Sequence, residues 1–388
     1  MNTGRLVFSQ IMDFVHRESL ERCVNRYPMP RAHRAFSARD QFLSMAFAQI
    51  TYRDSLRDIE FCLRGSKHLH AMGIRGNVTR TNLAYANEHR DWRVYQELAS
   101  LLTTRARRLY ADDGQDLGIE EMVYALDSTT IDLCMNLFPW ATFRREKSAI
   151  KLHTLLDIRG SIPVFISITE ASVHDVNTLD DIAFEPASIY VMDRGYIDFA
   201  RLHTIEQARA YFVTRAKHNL AFYVVQSRPV DKANGLKCDQ TIKLTIAKTK
   251  RAYPNALRRI SCTDTETNVS FTFLSNHFGL SAQTIATLYK NRWKIELFFK
   301  WIKQNLRIKA FYGLSENAVK TQIWIAICVY IVVACLNKSL GINANLSKML
   351  QVCSVNAFQK EPLNELLTKH ALTTDEPPVC NQLTFNDF

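Results

Sequence analysis

Between Leu288 and Lys309 the chain reads LYKNRWKIELFFKWIKQNLRIK, and within it Tyr289, Arg292, Glu296 and Lys303 fall at steps of three, four and seven. On one continuous helix, at about 100° per residue, the four side chains would project within an arc of about 60°. One carboxylate would then share a stripe with a phenol, a guanidinium and an ammonium. Leu288, Ile295, Phe299, Ile302 and Leu306 form the adjoining apolar arc, so the polar stripe should border a buried face. From Tyr289 to Lys309 seven basic residues (Lys290, Arg292, Lys294, Lys300, Lys303, Arg307, Lys309) surround the single acid Glu296. Such a pattern suits the handling of phosphates beside a metal ion. The plainer reading is an amphipathic helix with a solvated basic face. Two aspartates upstream weigh against it.

Asp127 follows the apolar run VYAL and precedes Ser-Thr-Thr; Asp193 follows IYVM and precedes Arg194-Gly195-Tyr196. Each reads as a buried strand ending in an acid and a turn. Adjacent strands of this kind would bring both carboxylates to one sheet edge, where Glu296, from a helix packed on the sheet, completes the set. Three hard oxygen ligands suit Mg²⁺, or Mn²⁺, rather than zinc. Two such ions roughly 3.5–4 Å apart can activate a hydroxyl and neutralise a leaving 3′-oxygen. Each acid alone is a weak signal, because strand-end aspartates commonly satisfy turns.

The elements that would position these groups can be sketched along the chain. Residues 1–115 read as helical, with one helix over Ser55–Leu63, a turn at Gly73–Asn77 and a second helix over Thr79–Arg90 capped by Thr79. That outline is a helix-turn-helix or an ordinary helical hairpin; in the first case Arg80 and Asn82 would touch DNA. Residues 116–209 read as a mixed α/β layer: Met122–Leu126, a hairpin of Lys151–Ile158 and Ile162–Ile168, a helix near Asn177–Ala183, and Ile189–Met192. Residues 210–280 turn β-branched and aromatic, which predicts a β-rich insertion. The segment 281–345 carries the Glu296 helix, opening near Ser281, and a buried helix around the apolar run Ile323–Leu336. That 14-residue run is shorter than the roughly 20 residues needed to cross a bilayer. The segment 346–388 ends in a Pro-containing acidic stretch from Leu372, expected to pack loosely.

With 388 residues, 47% of them hydrophobic, the chain can bury a large core. The formal charge of +11 points to a polyanionic partner. Residues 1–110 hold 18 basic against 10 acidic residues, and 17 of the 18 are arginine, whose fork matches phosphates and guanine edges. The nine cysteines are scattered without a CxxC pair, as expected of reduced thiols in the cytoplasm and not of a disulfide framework or zinc site. No charged leader and apolar stretch opens the sequence, which argues against secretion, and no membrane is expected as a partner.

The spacing Tyr289-x2-Arg292-x3-Glu296-x6-Lys303 resembles the Tyr-Arg-Glu-Lys signature of insertion-sequence transposases of the IS-four type, within the Asp-Asp-Glu (DDE) superfamily. LDST around Asp127 and MDRGY around Asp193 are similar to that family's other acidic motifs. The resemblance implies an RNase H-like catalytic core with a mixed sheet, interrupted by the β-rich insertion. An all-helical N-terminal DNA-binding region would precede it. The insertion accounts for the 103-position separation of Asp193 and Glu296. Asp127, Asp193 and Glu296 would hold the metals, and Tyr289, Arg292 and Lys303, with neighbouring Lys300, would contact phosphates. The implied reaction is strand cleavage by water followed by attack of the freed 3′-hydroxyl on target DNA. The implied partners are double-stranded DNA, as terminal inverted repeats and target, and a second copy of the chain in a synaptic complex. A nuclease without strand transfer, or an inactive derivative acting as a regulator, are the alternatives.

Further candidates carry plain structural readings beside the functional one. Arg144, Arg145, Lys147 and Lys151 form a basic cluster suited to DNA or to solvent. Ser128, Thr129 and Thr130 suit a metal-bound water, or more simply the turn backbone. His153 and His174-Asp175 fall at positions that recur in the family, although a histidine satisfied by backbone is the simpler expectation. Trp293, Trp301, Tyr211, Phe212, Phe222 and Tyr223 are aromatics that either stack on an extruded base or pack, the tryptophans against the β insertion.

Overall fold

The computed structural model describes residues 4–29, 36–113, 118–144, 147–263, 268–342 and 344–371. Leu372–Phe388 and Arg145 lie outside the described residues. The chain divides into two compact units, one of Met1–Asp112, Thr130–Ile150 and Phe298–Glu376, the other taking in Asp113–Thr129 and Lys151–Leu297. The helices in chain order are α1 (Val7–Met12), α2 (Arg17–Arg26), α3 (Ala38–Ile50), α4 (Leu56–Arg64), α5 (Arg80–His89), α6 (Arg93–Leu109), α7 (Phe199–Gln207) and α8 (Ala247–Ala252). They continue with α9 (Ala282–Lys290), α10 (Trp293–Asn305), α11 (Glu316–Ser339), α12 (Leu346–Val355) and α13 (Leu363–Ala371). The strands are β1 (Val123–Leu133), β2 (Thr142–Arg144), β3 (Lys147–Asp157), β4 (Ile162–Glu170), β5 (Ile189–Met192), β6 (Tyr211–Arg215), β7 (Phe222–Arg228), β8 (Leu236–Leu244), β9 (Leu257–Thr263) and β10 (Ser270–Ser275).

In the first unit α11 forms the centre, packed against α1, α3, α5, α6 and α12. Its 24 residues extend the apolar run on both sides, with Ser315 capping the start by accepting from Ala318 N at 3.3 Å. By length and composition α11 matches a membrane span, yet 94% of its most apolar 18-residue window is buried inside the protein. It is a core helix. Beside it a polar network ties α3, α5 and α6: Gln41 Nε2 donates to Asn87 Oδ1 at 2.7 Å, while Gln41 Oε1 accepts from Tyr95 OH and from Arg90. The cap expected at Thr79 holds, and Ser55 caps as well. Ser55 accepts from Asp58 N at the start of α4 and Thr79 from Asn82 N at the start of α5. Residues 65–79 separate these helices, close to the spacing read from sequence and far more than the three or four residues of a helix-turn-helix turn, so the pair resembles an ordinary helical hairpin more than that motif.

The strands form a sheet of order β2-β3-β1-β5-β6-β10-β9-β8-β7, with β4 pairing β3 off this path, and most of them belong to the second unit. β5 runs parallel to both β1 and β6, whereas β10, β9, β8 and β7 follow as antiparallel neighbours. The β-branched residues from 210 on therefore extend one sheet, and β6 pairs directly with β5. Tyr124, Leu126, Tyr190, Met192 and Phe212 are among the fully buried residues of this unit's core. Two expectations are corrected. The strand carrying Asp127 does not end there but continues to Leu133, since β3 lies on its other side after the pairing with β5 stops. The helix expected near Asn177–Ala183 is a 3₁₀ turn over Asp175–Asp180, where Asp, Asn and Thr side chains compete with helical hydrogen bonds. Each of the eight cysteines among the described residues is a free thiol.

Candidate active site

β1 and β5 pair from Val123↔Ile189 to Leu126↔Met192. Asp127 and Asp193 directly follow the last paired residues, Asp127 still within β1 and Asp193 just past the end of β5, so the two acids leave the core on neighbouring strands. Burial along β1 changes at the same point: Val123–Leu126 are buried, and Asp127–Thr129 are partly open. Asp193 also caps the short 3₁₀ turn Arg194–Tyr196, its Oδ1 accepting from Gly195 N at 2.7 Å. A Cβ at position 195 would stand 2.9 Å from that oxygen, so glycine is what lets the turn wrap around the carboxylate.

The stripe holding Glu296 is not one helix. α9 ends at Lys290 and α10 begins at Trp293, with Asn291 and Arg292 in a turn whose amides bond three residues back: Arg292 N to Tyr289 O and Ile295 N to Arg292 O, both 3.1 Å. The common arc expected of a continuous helix is thereby broken, and Arg292 gains freedom to turn inward. Its Nη1 donates to Asp127 Oδ2 at 2.8 Å and its Nη2 to Glu296 Oε1 at 2.5 Å. Asp193 is near enough to act on the same guanidinium. Tyr289, buried, packs on Phe273 with ring centroids 4.7 Å apart and lies 5.8 Å from the Arg292 guanidinium carbon.

The electrostatics follow from this arrangement. Burial is the largest influence on Asp127 and raises its pKa to about 6; Arg292 pulls it down, while Asp193 and Glu296 push it up. For Arg292 burial works against the charge, but Asp127, Tyr289, Glu296 and Asp193 outweigh it and hold the pKa above its usual value. Burial also raises the Tyr289 phenol. The donor set of three carboxylates, without thiol or imidazole, fits a hard divalent cation. As folded, the positive charge between Asp127 and Glu296 is the guanidinium, and among the described residues no three His, Cys, Asp or Glu side chains group as metal ligands. Binding an ion here requires Arg292 to give up at least one carboxylate.

The other expected residues fall in varied places. Lys303, on the last turn of α10, is half-buried and donates to Thr130 O at 2.8 Å, and burial lowers its pKa. Lys300 and Arg80 are exposed. Asn82 uses its side-chain amide on Asn77 O at 2.8 Å. Arg144 closes β2. Lys151 is tied inward, to Val173 O at 2.9 Å and Asp175 Oδ1 at 3.1 Å. Trp301, expected to pack against the β-rich segment, lies 5.0 Å from Tyr330 of α11 between ring centroids. Phe212 is fully buried and out of reach of any base.

One group was underweighted from sequence. Asp175 Oδ1 accepts from Ser128 Oγ at 2.7 Å and from Lys151, and lies 3.7 Å from Nδ1 of the buried His153. His153 Nε2 in turn meets Thr169 Oγ1 at 2.9 Å, a side chain and not the backbone partner expected. This cluster anchors the residue next to Asp127. The only sequence signal was the His174-Asp175 dipeptide.

With this geometry in view, comparison with known proteins is informative. Residues 119–332 match the family described as Transposase DDE domain, and residues 3–75 match a Domain of unknown function (DUF4372). A Sinorhizobium fredii protein named "Putative transposase y4zB" is 34% identical over 252 residues, covering 64% of this chain and 68% of its own length. A Geobacillus stearothermophilus protein, "Probable transposase for insertion sequence element IS5377", is 27% identical over 256 residues, 66% of each chain. Among solved structures, a piggyBac transposase in a synaptic complex with hairpin DNA superposes with a TM-score of 0.43 at 9% identity, covering 96% of this chain and 81% of that one.

Proposed function

Because this chain belongs to the Transposase DDE domain family and its relatives are named as transposases, one of them for an insertion sequence element, we propose that it cuts and joins the ends of a mobile DNA element at the site around Asp127, Asp193 and Glu296. The observation that carries this reading is the register of β1 and β5, which releases two aspartates side by side and within the influence of Arg292 and Glu296. Transposases of this family use divalent metal ions, Mg²⁺ or Mn²⁺, and the three carboxylates are the residues that would hold them. When bound, such an ion polarises a phosphoryl oxygen and favours a hydroxyl nucleophile.

The protein's own side chains supply the remainder. Arg292, released from Asp127, has the fork to grip a phosphate on two sides, and Lys303 offers a point charge. Tyr289 lines the wall with a phenol that stays protonated, since burial raises its pKa. Lys300, Arg80, Asn82, Arg144 and Arg145 are further DNA contacts in this reading, with residues 1–115 as the part that recognises terminal inverted repeats. The active assembly contains two copies, one for each end. Attack of the freed 3′-hydroxyl on target DNA completes the reaction.

The test uses duplex DNA bearing the element's own ends, with Mg²⁺. Wild type should cleave and then join the 3′-end to target. Asp127→Ala, Asp193→Ala and Glu296→Ala should bind that duplex yet lose cleavage by at least about a hundredfold. Retained cutting in all three variants removes the assignment, and cleavage without joining reduces the protein to a nuclease.

A further inference from the structure

The part of the chain matched only by a domain of unknown function contains a cavity of about 350 Å³, within the roughly 300–1,000 Å³ span of small-ligand sites. Three arginines line it: Arg17 at the start of α2, Arg39 in the first turn of α3, and Arg75. Glu21 and Asp40 also face the cavity, and both are engaged. Glu21 Oε1 accepts from Arg17 Nε at 2.6 Å. Asp40 closes the capping box of α3 with Ser37 and accepts from Arg75 N at 2.7 Å. The Arg75 guanidinium lies 2.8 Å from His70 Nδ1.

Arg39 stands apart. It is half-buried, and among the described residues it has neither a hydrogen bond nor an ion pair. Its guanidinium lies over Gly73, where an added Cβ would come within 3.7 Å of Nη2. Burial is the main influence lowering its pKa and the nearby charge of Arg17 lowers it further, while Glu21, Asp40 and Asp13 act in the opposite direction without restoring it. A partly desolvated cation beside a second cation is costly unless an anion completes the site. A planar guanidinium favours phosphate. The +8 balance of residues 1–110 favours a polyanion over a free ion.

The geometry points to this cavity as a seat for a DNA backbone phosphate, with Arg39 the residue that grips it and Arg17 and Arg75 at its flanks. The inference rests on the DNA-binding reading above and assigns a role to a region outside the transposase domain. A phosphate contact adds affinity without sequence preference and makes binding more salt-dependent.

The experiment measures affinity of the full chain for duplex DNA across a range of salt concentrations. Arg39→Gln should flatten the plot of log affinity against log salt by about 0.9, the increment for one phosphate on B-DNA. Arg39→Lys, which keeps the charge, should restore the slope. Inorganic phosphate should raise the melting temperature of wild type and leave that of Arg39→Gln unmoved. Without phosphate the two should melt alike, because among the described residues Arg39 has no hydrogen bond or ion pair to lose. An unchanged slope in Arg39→Gln, or an equal phosphate effect on both proteins, overturns the site while leaving the transposase reading in place. A wild-type chain that binds no duplex at any salt overturns both.

Discussion

Among the arginine–carboxylate pairs of the second unit, two look alike by distance and behave oppositely. In the first, Arg258 meets Asp239 with Nε to Oδ1 at 2.9 Å and Nη2 to Oδ2 at 2.8 Å, and its Nη1 donates to the carbonyls of His277 and Leu280. Both side chains are at most 6% exposed. Burial alone would raise the Asp239 pKa, but Arg258 and Arg228 together carry it below the usual value. In the second pair, Arg292 is shared by Asp127 and Glu296 and its Nε has no hydrogen-bond partner among the described residues. There burial wins, and Asp127 rises to about 6. One cation balanced and fully bonded holds strands together. One cation set among several anions, with a donor to spare, leaves a site that a stronger cation and a phosphate can rearrange.

The most forceful way to break this comparison is to remove the balanced cation. Arg258→Ala leaves the buried Asp239 with only the longer contact to Arg228 at 3.3 Å, and denaturant unfolding should show a loss of up to about 3–5 kcal/mol. A loss below 1 kcal/mol would mean that the pair is not structural. At the other site, Gly195→Ala pushes a methyl against the Asp193 carboxylate. Cleavage should fall by up to about a hundredfold, as expected of roughly ångström-scale misplacement, with the unfolding midpoint almost unmoved.

Arg292→Gln sharpens the comparison from the side of the metal. With the competing cation gone, Mn²⁺ should bind the DNA-free protein severalfold more tightly, read by electron paramagnetic resonance, while DNA cleavage declines. Equal or weaker Mn²⁺ binding would show that the guanidinium does not stand in the ion's place. The smallest effect is expected at His153, whose pKa burial lowers below 6.5. The unfolded chain then takes up a proton that the folded one resists, so stability is complete above pH 6.5 and declines as pH falls toward the folded value. His153→Gln should flatten that limb of melting temperature against pH.

Much of this protein was legible from its residues because the signals were local. Ser55, Thr79 and Ser281 cap helices where their hydroxyls predict it, since a cap bonds an amide two or three residues away. The strands before Asp127 and Asp193 follow from short apolar runs rich in β-formers. Reading 288–309 as one helix failed at Asn291–Arg292, where periodicity alone gives no sign of a break. The packing of Trp301 on Tyr330 was equally out of reach, because it joins residues of two separate helices.

The linear chain by itself settled which acids and cations were available, and that they sit at the ends of buried runs; both follow from composition and short-range preference. Only the tertiary structure decided that Asp127 and Asp193 emerge on neighbouring strands and that Arg292 faces Asp127, 165 residues away. Strand register and the partner of a buried charge are chosen by packing and desolvation summed over distant segments, which no short window of sequence contains.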